Sequence, residues 1–428
     1  MRPRLPHDLH EAFAAHPALR AVLLTDFLVL LSELSVAVIL PWWITSQGRA
    51  PALAMFSVTL AVAAFFIAPA MSPFGDRLCK GRQITLGLVV LCGVAIALAA
   101  LSFAGVFSLT AVAALAVVQV LATSFVDPAR DAVLTEVMPA ARLPVAIRLR
   151  KTTNATAGIL GPLLAGVVLG SVGFTVALCG YGVVLVAATL AASRIPRTAA
   201  PPKHGGLARW WRDLRAGLAA KWQVPMERGW TLVNFAVWIF QGPAVGLLIP
   251  IKVQSLALPG QWLGLCLGAL SLGVLLGSAF GSEMLVARFG RYRVRIGLGF
   301  AEGIALAVVG LASSPWLMLA GLVAAGFCNA AMSLVGATHR ALAIPQDYRV
   351  RMFAASAMTT RVAGAIGPAL VGMALVHHSV TWVYTAWGLL MATSVLGFLA
   401  VPRLKEFLTL GHDEIAGWYR QQYPAVFR

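Results

Sequence analysis

Two carboxylates, Asp26 and Glu33, lie within the first long apolar run of the chain. Seven residues make about two turns of an α-helix, so both side chains lie on one helix face. Ionisable groups in a bilayer are costly and are candidates for function. A buried carboxyl pair can bind and release a proton near neutral pH, or bind a cationic substrate. The structural alternative is an ion pair or hydrogen bond with a neighbouring helix.

Two amides repeat this spacing in the second half of the chain, at Asn234 and Gln241, with Trp238 between them. Asn234 follows Asp26, and Gln241 follows Glu33, by the same number of residues. We therefore expect both pairs to face a central cavity, with the titratable chemistry in the N-terminal half. Trp238 is either an aromatic wall for a ligand or a side chain packed against lipid.

Glu302 and Arg361 are two further charges within apolar runs. Arg361 should need an anionic partner, which is either an anionic ligand or one of the buried acids. The five cysteines lack metal-ligand spacing, so we predict no disulfide, no metal site and no cofactor.

The elements that carry these residues are predicted membrane helices. Hydrophobic residues make up 59% of the chain and charged residues 11%, whereas soluble domains have roughly 25% charged residues. A helix needs about 20 apolar residues to cross a bilayer. We therefore predict an all-α membrane protein with twelve transmembrane helices. The predicted runs are 21–45, 52–73, 84–105, 109–129, 151–171, 173–193, 229–251, 261–283, 294–313, 316–338, 353–376 and 381–401.

The net charge of +17 is spread over short segments between the runs, which argues against a nucleic-acid groove. With both termini in the cytoplasm, all 33 Lys and Arg residues except Arg49, Lys252 and Arg361 fall on inner segments. Arg130 and Arg150 are counted among these inner charges. The bias predicts a multi-pass protein of a bacterial inner membrane. The first run is too long for a signal peptide and is expected to be retained.

The two halves of the chain also repeat each other. Gly161, Pro162 and Gly166 in the fifth run match Gly367, Pro368 and Gly372 in the eleventh, at nearly the offset that relates the carboxylates to the amides. Such repeats are typical of transporters that hold substrate near the bilayer midplane. We predict a six-helix bundle, a linker, a second pseudo-symmetric six-helix bundle and a tail, at 1–193, 194–228, 229–402 and 403–428.

The linker contains a predicted amphipathic helix on the inner membrane surface, because apolar and basic residues separate at helical spacing. A helix that binds a partner protein is the alternative. The apolar positions are Leu207, Trp210, Trp211, Leu214 and Leu218, and the basic ones are Arg209, Arg212 and Lys221.

The loop between the second and third runs resembles the loop motif of the major facilitator superfamily, through Asp76, Arg77 and Lys80, followed by Arg82. In that family this loop locks the cytoplasmic gate. The Gly-Pro-x-x-x-Gly that begins at Gly161 resembles the family's antiporter motif. The resemblance implies the major facilitator fold, in which the ninth helix is often peripheral. A structural role is therefore favoured for Glu302.

Within the superfamily, the stretch that runs from Asp127–Asp131 to Pro162 resembles enterobactin exporters and macrolide efflux pumps, and the segment 16–22 is similar to enterobactin exporters. This resemblance implies a proton-coupled exporter of a siderophore-like or drug-like amphipathic molecule. The alternatives are a lysophospholipid transporter, which the segment 66–82 also resembles, and a siderophore importer. The partners would be a small molecule, protons and lipid, and we expect a monomer. Enzyme motifs such as a P-loop or Gly-x-Ser-x-Gly are missing from the sequence.

Overall fold

The computed structural model describes residues 17–71, 79–138, 143–196, 207–411, 414–415 and 417–427. Within these residues the chain is helical, as predicted. The helices of the first half are listed here in order: α1 Pro17–Met71, α2 Lys80–Phe103, α3 Leu109–Val137, α4 Leu143–Val172, α5 Phe174–Ala192 and α6 Leu207–Gln223. Those of the second half are α7 Pro225–Gly246, α8 Leu248–Ser255, α9 Gln261–Leu276, α10 Ser282–Phe289, α11 Arg291–Leu311, α12 Pro315–Ala343, α13 Gln346–His377, α14 Val380–Leu396, α15 Leu404–Thr409 and α16 Trp418–Gln422.

Ten helices among the described residues are long and apolar enough to cross a membrane, or eleven if the bent pair α7 and α8 forms one span. One of the ten, α1, contains the first two predicted runs and breaks between them at Arg49, whose backbone is not helical. A π-turn at Gly277–Gly281 joins α9 to α10, and together they cover the eighth predicted run. The all-α membrane fold is confirmed.

Local signals in the sequence explain where several helices begin and end. The Ser108 hydroxyl accepts a hydrogen bond from the backbone N–H of Ala111 and caps α3. Gly173 has a φ of 90° between α4 and α5, a conformation that glycine adopts without steric cost. Pro315 occupies the first turn of α12, where no backbone donor is needed.

The described helices divide into two compact units. The first comprises residues 17–47 and 63–207, and the second comprises 48–62 and 208–427. In the first unit α2 packs against α3 and α5, and in the second α11 packs against α12 and α14 while α7 packs against α13. The division at 207 lies within the predicted linker, so α6 belongs to the second unit.

Candidate functional site

A buried group of charges surrounds Asp26 on α1 in the first unit. The carboxylate oxygen Oδ1 accepts a hydrogen bond from Arg130 Nε at 3.0 Å, and Oδ2 accepts one from Arg150 Nε at 2.6 Å. Arg130 lies on α3 and Arg150 on α4, so three helices meet at this carboxylate. The Asp26 side chain is only 1% exposed. A fully buried carboxylate with two guanidinium partners is well suited to hold those helices together.

Glu33 joins the same group through Arg130. Arg130 Nη1 lies 3.3 Å from Glu33 Oε1 and 3.3 Å from Asp127 Oδ1. The Glu33 side chain is 28% exposed, so solvent reaches it while it does not reach Asp26. The structure thus brings the two predicted carboxylates together, as the structural alternative expected, but through one shared arginine on another helix.

We call these residues the Asp26 cluster, which also includes Asp131, 3.2 Å from Arg150 Nη2. Its members are Asp26, Glu33, Asp127, Arg130, Asp131 and Arg150. Four carboxylates contact the guanidiniums of Arg130 and Arg150, so that each arginine has at least two acidic partners. One carboxyl group can therefore hold a proton while both arginines keep acidic partners.

The sequence interpretation missed both arginines of this cluster. It counted Arg130 and Arg150 among the charges of inner segments, and both lie within helices long enough to cross a membrane, at Leu109–Leu134 and Leu149–Val172. Their pairing with Asp26 was missed because the fourth and fifth predicted helices extend further than their apolar runs. An unpaired acid in the first run was the signal that could have prompted a search for a basic partner on other helices.

The predicted amides line a cavity of about 360 Å³ inside the second unit. Asn234, Trp238 and Gln241 on α7 form part of its wall, together with Asn329 on α12 and Glu302 on α11. Trp238 is 40% exposed. Apolar side chains, hydroxyl groups and three basic side chains, Lys221, Arg295 and Arg340, complete the lining. Apolar walls with a few polar groups are the usual composition of a small-molecule site.

Glu302 lies in the wall of this cavity. Its Oε1 accepts hydrogen bonds from Gln241 Nε2 at 2.5 Å and from Asn329 Nδ2 at 3.2 Å. Its Oε2 is buried without a hydrogen-bond partner. The expectation that Glu302 is peripheral is wrong for the side chain, because it points from α11 toward the predicted amide Gln241. The second unit thus contains a buried acid of its own.

A second buried ion pair joins α7 to α12. Arg340 bonds both oxygens of Glu227, each at 2.8 Å, and the Tyr419 hydroxyl donates to Glu227 Oε1 at 2.6 Å. Lys221 Nζ lies 3.4 Å from Glu227 Oε2. Burial raises the pKa of the Tyr419 hydroxyl well above its ordinary value, so it stays a donor. The network ties α6 and the tail to α7 and α12.

The prediction that Lys221 lies on the polar face of an amphipathic surface helix is wrong. Lys221 is buried, with 3% of its surface exposed, and so is Arg340, with 8% exposed. Lys221 donates to Ser356 Oγ at 2.6 Å, and burial lowers its pKa to about 8. Glu227 was not identified from the sequence, because it lies outside the apolar runs.

The two matching Gly-Pro motifs make the same contact in each unit. On α4, a Cβ at Gly161 would lie 3.1 Å from the carbonyl oxygen of Leu31. On α13, a Cβ at Gly367 would overlap the carbonyl oxygen of Ile239. Leu31 and Ile239 are related by the same offset as Glu33 and Gln241, which supports the internal repeat.

The remaining predicted site residues lie apart from these groups or outside the described residues. Arg361 is half-buried on α13, next to the cavity-lining Thr360. Lys80 is buried at the start of α2, with 6% of its surface exposed, and Arg82 is exposed two residues later. Pro162 and Gly166 lie within α4. Asp76 and Arg77 of the predicted gating loop lie outside the described residues.

Comparison with known proteins gives one family and many structural relatives. The model of the Major Facilitator Superfamily matches residues 22–283 and 231–412. No curated protein sequence matches the chain. Among solved structures, the peptide transporter POT in complex with sulfate has a TM-score of 0.71 at 14% identity, covering 92% of this chain and 96% of that one.

Two other solved structures show the same fold. A bacterial homologue of the iron transporter ferroportin, in an inward-facing state, has a TM-score of 0.69 at 16% identity, with 89% of this chain and 98% of that chain covered. A point mutant of the nucleoside transporter NupG has a TM-score of 0.71 at 13% identity, with 90% and 100% covered. At these identities the likeness extends to the fold and not to the substrate.

Proposed function

The chain belongs to the Major Facilitator Superfamily, and we propose that this secondary transporter exports amphipathic small molecules in exchange for protons. The observation that carries the proposal is the Asp26 cluster, in which Glu33 shares Arg130 with Asp26. Alternating access of the cluster to the two sides of the membrane would carry the proton inward.

Glu33 is the proposed proton-exchanging group. It is the more exposed of the two predicted carboxylates, so water can deliver a proton to it. Protonation of Glu33 leaves Arg130 bonded to Asp26 and Asp127, so no buried guanidinium loses all its acidic partners. Asp26 is the proposed anchor, because protonation there would weaken two buried ion pairs at once.

The proposed direction of transport and class of cargo rest on the exporter resemblance. The stretch from Asp127 to Asp131 resembles enterobactin exporters and macrolide efflux pumps, and it contains Arg130 and both acidic residues that enlarge the Asp26 cluster. The residues that carry the resemblance are therefore the residues that surround the proposed proton site. This favours a siderophore-like or drug-like cargo over the lipid and importer alternatives.

We further propose that the protein is a monomer of the bacterial inner membrane with both termini in the cytoplasm. The distribution of Lys and Arg supports this orientation, although Arg130 and Arg150 no longer count as loop charges. A green fluorescent protein fused to the C-terminus should fluoresce, and an alkaline phosphatase fusion at that position should be inactive. The reverse pair of results would contradict the orientation.

The function is tested in proteoliposomes that carry an imposed pH gradient. Uptake of anionic, neutral and cationic amphiphilic dyes is followed with the gradient present and with it collapsed by an ionophore. We expect the wild-type protein to accumulate at least one dye only when the gradient is present. Glu33→Gln should abolish gradient-driven accumulation and retain exchange of dye across the membrane without a gradient.

Asp127→Asn is the matched control for Glu33→Gln. Asp127 touches the same nitrogen of Arg130 at the same distance, but it is 55% exposed. The control should keep gradient-driven accumulation within about threefold of wild type, because an exposed ion pair contributes little. Accumulation that persists in Glu33→Gln would contradict proton coupling at this residue.

A further inference from the structure

Arg295 is a buried cation in the wall of the second-unit cavity. Among the described residues no carboxylate lies within ion-pairing distance of it. Its Nη2 donates to Asn234 Oδ1 at 3.0 Å and its Nη1 to the carbonyl oxygen of Met332 at 3.2 Å, while Nε is buried without a partner. Neutral oxygens therefore hold the guanidinium in place without neutralising its charge.

Aromatic rings complete the surroundings of Arg295. The guanidinium lies 4.9 Å from the ring centre of Trp230 and 4.8 Å from that of Phe398. Cation–π contacts of this kind stabilise a cation that has left water. They also fix the orientation of the planar guanidinium, which favours two-point recognition of an oxyanion.

The other charges at the cavity do not fully balance this one. Arg340 and Lys221 are bonded to the same carboxylate, Glu227. Glu302 takes its hydrogen bonds from two neutral amides. Three cations and two carboxylates leave an excess of one positive charge even when Glu302 is ionised. A buried excess charge is costly, and an anionic ligand would offset it.

We propose that this cavity binds the anionic group of an amphipathic substrate at Arg295, which rests on the transport function proposed above. The ligand is an amphiphile that carries a carboxylate, sulfonate or phosphate. Its charged group would bond Arg295, and its apolar part would lie against Phe235, Trp238 and Leu270. A volume of about 360 Å³ accommodates a molecule of one or two fused rings.

The test uses two fluorescent probes that differ by one anionic group. These are 1-anilinonaphthalene-8-sulfonate and its neutral analogue N-phenyl-1-naphthylamine, titrated into the full chain in a neutral maltoside detergent, with protein-free micelles subtracted. The wild-type protein should bind the sulfonate more tightly than the neutral analogue. Arg295→Gln should weaken sulfonate binding by about tenfold or more, the scale of one charged hydrogen bond, and change the neutral analogue by less than about twofold.

Two further variants keep the test decisive. Glu302→Gln is compared with the wild-type protein at an alkaline pH at which Glu302 is ionised. It removes a negative charge from the same cavity and should tighten sulfonate binding, even if Arg295→Gln does not fold. Arg293→Gln removes the same charge from an exposed position on the same helix and should leave both probes unchanged. Equal affinity for the two probes in the wild-type protein, or no tightening in Glu302→Gln, would overturn the proposal.

A last arm separates two sources of the anionic group. If an anionic lysophospholipid displaces the bound sulfonate and a bile acid does not, the site binds a lipid headgroup. If the bile acid displaces it and the lysophospholipid does not, the site binds a free small molecule. Binding is measured at one pH without a gradient. A negative result would therefore remove the anionic substrate class and leave proton coupling at Glu33 to its own test.

Discussion

Asp26 and Glu33 share one arginine, but their surroundings give them different roles. Asp26 is buried between two guanidiniums, whereas Glu33 is partly exposed and bonded to one. Loss of the buried Asp26 charge weakens the contacts of two arginines at once, whereas loss of the more exposed Glu33 charge weakens those of Arg130 alone. The proposed anchor, Asp26, and the proposed proton-exchanging group, Glu33, can thus be distinguished by the effect of substitution on the free energy of unfolding as well as on transport.

We predict that Asp26→Asn lowers the free energy of unfolding by about 3–5 kcal/mol, because Arg130 and Arg150 lose their shared buried carboxylate. Asp131→Asn is the control, since Asp131 also bonds Arg150 but is 81% exposed, and it should cost less than about 1 kcal/mol. Unfolding in neutral detergent measures both. Equal effects of the two substitutions would contradict the role of Asp26 as an anchor.

Lys221 gives a prediction for stability against pH. Its pKa of about 8 lies below the ordinary value of 10.5, because burial disfavours the charged form. Between these two values the unfolded chain holds a proton that the folded protein has released, so the free energy of unfolding rises with pH, by up to about 1.4 kcal/mol per unit. Below pH 8 this slope vanishes.

The measurement compares thermal unfolding of the wild-type protein and Lys221→Met from about pH 7 to about pH 10.5, the range that brackets the two pKa values. The wild-type protein should gain stability relative to the variant across the upper part of this range. If stability depends on pH in the same way in the two proteins, the pKa of Lys221 in the folded state is its ordinary value, which would contradict the prediction.

Which of these residues could be predicted from the sequence depends on their local surroundings. Asp26, Glu33 and Glu302 were identifiable because each charge interrupts an apolar run. Their partners Arg130, Arg150 and Asn329 come from distant parts of the chain, and no local pattern relates an acid on one helix to a base on another. Arg295 was also missed, because it lies close to the start of α11 and was counted among the charges of the inner segments.

At the scale of helices, the glycine of the Gly-Pro motif makes a close helix contact in each unit. Gly161 on α4 lies against Leu31, and Gly367 on α13 lies against Ile239 and Pro243. In both cases the neighbouring helix carries a predicted site residue two positions later, at Glu33 or Gln241. Helix contact and site geometry are thus linked in each unit.

We predict that Gly161→Ala and Gly367→Ala each lower the free energy of unfolding by about 1–3 kcal/mol through overpacking. Gly367→Ala should cost more, because its added methyl group would overlap the oxygen of Ile239, whereas at Gly161 the nearest atom is 2.9 Å away. Gly158→Ala and Gly364→Ala are controls on the same helices, with open space at the added carbon. They should be neutral or stabilising by up to about 1 kcal/mol.

Helix positions were predicted well and helix ends less well. Apolar runs fix where a helix crosses the bilayer, but polar turns beyond the run leave no hydropathy signal, so α3 extends to Val137 and α13 begins at Gln346. The hydropathy pattern also did not predict what α6 packs against. A Cβ at Gly217 on α6 would overlap the carbonyl oxygen of Arg351, so this helix packs against α13 and does not rest on a membrane surface alone.

At the scale of the whole chain, two units of similar helix packing carry different polar groups. The first unit has a cluster of four carboxylates around two arginines, and the second has a cavity with excess positive charge. On this difference we propose that the first unit exchanges protons and that the second binds cargo. Coupling between them then requires that proton release and cargo binding depend on each other.

The most direct test is proton release upon cargo binding, measured with a pH indicator dye and purified protein in weakly buffered detergent solution. Addition of a dye that the proteoliposomes accumulate should release protons from the wild-type protein and from Asp127→Asn, and none from Glu33→Gln that still binds the cargo. Equal proton release from Glu33→Gln and the wild-type protein, or no release from the wild-type protein, would contradict proton exchange at Glu33.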